Sequence, residues 1–71
     1  MIAAQAEKLV MAHRYLYYVL SESVVADAVY DQLEREARNI CSSESPVHGV
    51  GSSLPDSYSA DVQQLALELL G

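Results

Sequence analysis

Residues 13 to 31 constrain this chain most: His-Arg-Tyr-Leu-Tyr-Tyr-Val-Leu-Ser-Glu-Ser-Val-Val-Ala-Asp-Ala-Val-Tyr-Asp. Four of the five tyrosines fall here, Tyr15, Tyr17, Tyr18 and Tyr30, together with Asp27 and Asp31. The stretch reads as the end of one helix, a short polar turn and the start of a second. Such a hairpin brings the end of helix one against the beginning of helix two, at a common corner. That corner is either packing or a pocket.

The flanking patterns supply the rest of an all-α chain. Ile2, Ala6, Leu9, His13, Leu16 and Leu20 are spaced 4, 3, 4, 3, 4, which predicts a helix over residues 2 to 20. Met11, Tyr15 and Tyr18 add a second stripe, with Val10 and Tyr17 between. Gln5, Glu7, Lys8 and Arg14 then leave a narrow wet face. Ser21, Glu22 and Ser23 suit a turn. Asp27 stands at an N-cap position for a helix running to about residue 41, whose apolar face is Tyr30, Leu33, Ala37 and Ile40. Glu34 can reach Arg38 at i,i+4. Residues 42 to 57 form a loop in which Pro46 and Pro55 stop helices and Gly49 and Gly51 permit positive φ. Ser57 or Ser59 can cap a third helix to about Leu70, with Val62, Leu65, Ala66 and Leu69 on its apolar face. The expectation is one domain, 1–71: a hairpin over 1–41, a loop over 42–57 and a C-terminal helix over 58–71.

Size and charge exclude several functions. A chain of 71 residues buries only roughly 60% of the surface its unfolded form exposes. Such domains lean on a staple, a metal or a partner. Cys41 is alone, and with His48 it falls short of a four-ligand zinc site. A first helix this widely apolar asks for cover on more than one side. Ile2, Leu9, Met11 and Leu16 are therefore the expected interface of a homodimer or of a contact with another protein. Net charge is −6 with four basic residues, Lys8, Arg14, Arg35 and Arg38, which argues against direct nucleic-acid binding. No stretch has the ~20 apolar residues of a membrane span. No signal peptide is visible, and a cytoplasmic location is expected.

The order of residues in the central stretch resembles domain Ia, the small N-terminal domain of bacterial NAD-dependent DNA ligases. That family carries Tyr-x-Tyr-[Tyr/His]-Val-[Leu/Met], a short turn, then Asp-Ala-x-Tyr-Asp-x-Leu. Here stand Tyr15-Leu16-Tyr17-Tyr18-Val19-Leu20 and Asp27-Ala28-Val29-Tyr30-Asp31-Gln32-Leu33. Ser45-Pro46-Val47-His48-Gly49-Val50-Gly51 is a degraded form of the family's linker to its catalytic domain. The resemblance covers residues 6 to 52. It implies that Tyr17, Tyr18, Asp27, Tyr30 and Asp31 contact the nicotinamide mononucleotide (NMN) half of NAD. Aromatic faces suit a flat cationic ring, and carboxylates accept hydrogen bonds from ribose hydroxyls.

The chain also departs from the family. Ligation needs a lysine in Lys-x-Asp-Gly, whereas Lys8 is followed by Leu9-Val10-Met11. No catalysis is expected, and no cofactor is required. Val29 replaces a common Glu, helix one is more apolar than in the family, and residues 53–71 match nothing in it. Three functions follow as expectations. The first is a non-catalytic protein-interaction module, of the kind phages and mobile elements carry to inhibit a host protein. The second is a binder of NMN or NAD. The third is an accessory that modulates a separate ligase. Simpler roles fit the same residues: tyrosines as core, Asp27 as cap, Asp31 as a helix-end charge, His13 half-buried, His48 exposed and Cys41 as a small core residue.

Overall fold

The computed structural model describes residues 2–49 and 53–71. Its elements are α1 (Ala3–Tyr18), α2 (Asp27–Ile40), a 3₁₀ turn at Pro46–His48, a second at Pro55–Ser57, and α3 (Ala60–Leu70). Among the described residues there is no strand, and the expected order of three helices holds. Val50 and Gly51, the last two residues of the linker-like motif, lie outside the described residues.

α1 is the spine, and α2, α3 and the first 3₁₀ turn pack on it. Two buried clusters use it from different sides. In one, Ala12 and Leu16 meet Tyr58, Val62 and Ala66, with Met11, Tyr15, Val19, Leu20, Leu65 and Leu69 packed around them. In the other, Ala6 and Val10 meet Ala37 and Val47, flanked by Leu33 and Cys41. The small residues let the helices approach closely: Ala6, Ala12, Ala37 and Ala66 are fully buried. The Tyr15 and Tyr58 rings meet edge to face at 5.3 Å, a favoured aromatic geometry.

This arrangement revises several expectations. Leu16 is 1% exposed and offers no surface to a second chain, because α3 lies over it. Met11 packs against the same cluster, Leu9 is half-buried, and Ile2 lies open at 64% exposure. Much of the apolar surface that called for a partner is thus covered by the chain's own C-terminal helix. Arg14, assigned to the wet face, is buried at 3% exposure. It faces α2 and the segment after it, where all its donors find acceptors. Ile40, assigned to the apolar face of α2, is exposed, and Cys41 packs inward instead.

The ends of the helices follow local chemistry. Ser59 caps α3, its Oγ accepting from the Val62 N–H, as a serine at this position should. α2 starts differently. Its N-cap is Ala26, with no side-chain hydrogen bond, and Asp27 is the first helical residue. Asp27 therefore meets the positive helix end as a charge and does not cap it. After α1 the chain reverses through Ser21, the one non-glycine at positive φ (56°) among the described residues. Glu22 N–H then donates to the Leu16 carbonyl at 2.8 Å. Gly49 is at φ −90°, ψ −175°, extended backbone open to any residue, so positive φ is not used there.

Truncating Leu16 should cost about 2–5 kcal/mol, the usual range for a buried leucine. Ile2→Ala should stay within about 0.5 kcal/mol, as exposed sites do. Urea unfolding of both variants checks the contrast. Equal losses would contradict the placement of α3 over α1.

Candidate functional site

The corner between the end of α1 and the start of α2 is a cleft of about 430 Å³. That is within the size range of small-molecule sites, about 300–1,000 Å³. Tyr17 and Tyr18 line it from α1, Asp27, Tyr30, Glu34 and Arg38 from α2, and Glu22 and Val24 from the turn, while Gly49 closes one side. Four of the five residues implied by the resemblance are brought together here. The fifth, Asp31, is exposed and does not line the cleft.

The tyrosines divide into two kinds. Tyr17 and Tyr18 are 61% and 46% exposed, and their rings stand edge to face at 5.1 Å. They are not core. Perpendicular rings offer a face and an edge to whatever enters, which suits a flat cationic guest. Tyr30 is half-buried and fixed. Its Oη donates to Glu34 Oε2 at 2.8 Å and accepts from Arg14 Nε at 3.2 Å. The His13 ring packs edge-on against it at 6.2 Å. Burial first, and then Glu34, push the Tyr30 hydroxyl up to about 12, against the opposing pull of Arg14. The phenol is therefore a neutral group of fixed direction at ordinary pH.

Beneath Tyr30 lies Arg14, which sequence reasoning missed as a site residue. Its Nη1 donates to the Pro46 carbonyl at 3.0 Å and lies 3.9 Å from Met11 Sδ. Its Nη2 donates to the Val47 carbonyl at 3.0 Å and to Glu34 Oε2 at 3.3 Å. Glu34 Oε1 takes Arg38 at 3.1 Å, the i,i+4 pair read from the sequence. One carboxylate thus serves two guanidiniums and a phenol. Burial works against the Arg14 charge, yet Tyr30 and Glu34 outweigh it and raise its pKa. No spacing rule connects positions 14 and 34, so only a buried arginine in a helix of apolar neighbours could have hinted at the pair.

The remaining candidates keep plain roles. Cys41 Sγ lies 3.4 Å from the Ala3 carbonyl. His48 is exposed, with Nε2 at 3.5 Å from the Cys41 carbonyl. No cluster of three or more His, Cys, Asp or Glu able to hold a metal occurs among the described residues. No helix among them is long and apolar enough to cross a membrane.

On the acid side, two groups make stability depend on pH. Burial would raise the Glu34 carboxyl, but Tyr30, Arg14 and Arg38 more than offset this and hold it below its ordinary 4.5. Its contribution is present above 4.5 and is lost as pH falls through the lower folded value. Burial lowers His13 from 6.5, so the unfolded chain takes up the proton first. Stability should therefore fall as pH drops below 6.5 and again below 4.5. In Glu34→Gln the lower step should shrink, as measured by the urea midpoint against pH. An unchanged lower step would exclude Glu34 as its source.

Residues 2–51 match the model of the DNA ligase-like, N-terminal NAD+-binding domain. The DNA ligase of Lysinibacillus sphaericus is 36% identical over 62 residues, 78% of this chain and 9% of that protein. The DNA ligase of Roseiflexus castenholzii is 40% identical over 60 residues, 75% of this chain and 8% of that protein. The chain therefore spans less than a tenth of the length of these relatives. No solved structure matches it. The match covers the small N-terminal domain and not a catalytic one. With the helical hairpin and the tyrosine-lined corner both in place, the chain belongs to the DNA ligase-like N-terminal NAD+-binding domain family.

Proposed function

We propose that the cleft binds the nicotinamide mononucleotide half of NAD, and that the chain acts by binding without itself performing catalysis. One observation carries the reading: Tyr17 and Tyr18 hold their rings out of the core at the mouth of a cleft that also takes in Asp27. Large aromatics left this open in a chain with so little core need a reason, and a flat cationic ligand supplies one. Asp27, free of any capping duty, can accept hydrogen bonds from ribose hydroxyls. Glu22, Asp27 and Glu34 outnumber Arg14 and Arg38 along the cleft, which favours the cationic ring end of the dinucleotide. The family's NAD+-binding character supports the same ligand.

Calorimetric titration with NMN and with NAD tests this. Binding weaker than about 1 μM is expected for half of a dinucleotide site, since about 8 kcal/mol corresponds to that affinity. Tyr17→Ala and Asp27→Ala should each weaken it at least tenfold, about 1.4 kcal/mol, with helical circular dichroism unchanged. No heat at millimolar ligand would remove the proposal.

A second reading is an interaction module that pairs with itself or with another protein, including a separate ligase. Leu67 and Leu70, exposed on α3, are the feature in its favour. A monomer by light scattering at every concentration would exclude self-pairing.

A further inference from the structure

The cleft is bounded by four pieces of chain: the end of α1, the turn after it, α2, and the segment Ser45–Gly49 that contributes Gly49. The last of these is a strap, held to the helices at its start and its middle. Ser45 Oγ donates to Glu7 Oε1 at 2.6 Å, and Val47 is fully buried between α1 and α2. The Gly49 N–H donates to the Pro46 carbonyl at 3.0 Å. That same carbonyl accepts from Arg14 Nη1. Arg14 therefore grips the strap at two consecutive carbonyls, Pro46 and Val47, while its other donors hold the Tyr30 phenol and the Glu34 carboxylate.

We infer that Arg14 is a positioning residue of the cleft, one that fixes the strap and Tyr30 in a single geometry so that ligand and strap are energetically coupled. The inference rests on the nucleotide reading above. At 3% exposure, with each nitrogen engaged, Arg14 acts through its partners. A planar fork of five donors can hold two backbone carbonyls, a phenol and a carboxylate at once; a lysine ammonium cannot. Coupling is reciprocal: if the fixed strap favours the ligand, the ligand must steady the strap by the same factor.

The test follows the amides of His48 and Gly49, whose N–H groups are bonded to the Ser45 and Pro46 carbonyls. Hydrogen exchange is measured on the full chain with and without NMN, and NMN affinity by calorimetry. In the native chain, saturating NMN should slow both amides. In Arg14→Lys they should exchange at least tenfold faster, NMN should bind at least tenfold more weakly, and the ligand should no longer slow them. The double variant Arg14→Met with Glu34→Leu replaces the ion pair by apolar side chains, which buried pairs often tolerate. It guards against simple unfolding, and it should stay helical and show the same losses. Affinities within twofold of the native value in both variants would overturn the positioning role while leaving the nucleotide reading intact. So would strap amides that exchange as before. No NMN binding by the native chain would remove the nucleotide reading and this role with it.

Discussion

The buried guanidinium of Arg14 is the interaction on which this small structure turns. Stripping a cation of water is costly, and an uncompensated one would cost several kcal/mol. Here the charge is met by Glu34 and by hydrogen bonds to Tyr30, Pro46 and Val47. Such a cluster adds little net stability over an apolar core. What it adds is direction. A greasy contact tolerates sliding, whereas a planar fork with four oxygen partners permits one mutual placement of α1, α2 and the strap.

That placement explains why the aromatic corner stays open. The two buried clusters take in α1 as far as Leu16, with Val19 and Leu20 at the edge. Tyr17 and Tyr18 fall on the face that neither α2 nor α3 covers. The reversal at Ser21 brings the chain round, and α2 begins at Asp27 behind an N-cap, Ala26, that offers no side-chain bond. Each of these choices forgoes some local stability, a left-handed serine costing about 1–2 kcal/mol. Together they leave rings and a carboxylate converging on one space.

Patterns local in the sequence showed the helices, their boundaries to within two residues, the Glu34–Arg38 pair and Ser59 as one of two candidate caps, because each depends on neighbours along the chain. The aromatic corner was legible through the order of Tyr17, Tyr18, Asp27 and Tyr30, which resembles one family. Illegible features depend on which element lies across from which. Arg14 looks like a solvated residue until Tyr30, Glu34 and the strap are brought to it from 16 to 33 positions away. Leu16 looks like surplus until α3 arrives. A helix packed on two sides has no single stripe: Ala6 and Leu16, read as one face, belong to different clusters. Asp27 missed the cap by one residue, a shift that spacing does not resolve.

The division of the interior has its own consequence. No residue of α2 enters the cluster made with α3, and none of α3 enters the one made with α2. The family match stops at residue 51, ahead of α3. α3 thus covers the back of the spine and contributes no residue to the lining of the cleft, so its contacts can be remodelled by substitution while the half with the cleft keeps its hydrogen-bonded frame. Opening in such a molecule should proceed by halves, each leaf loosening from the spine by itself.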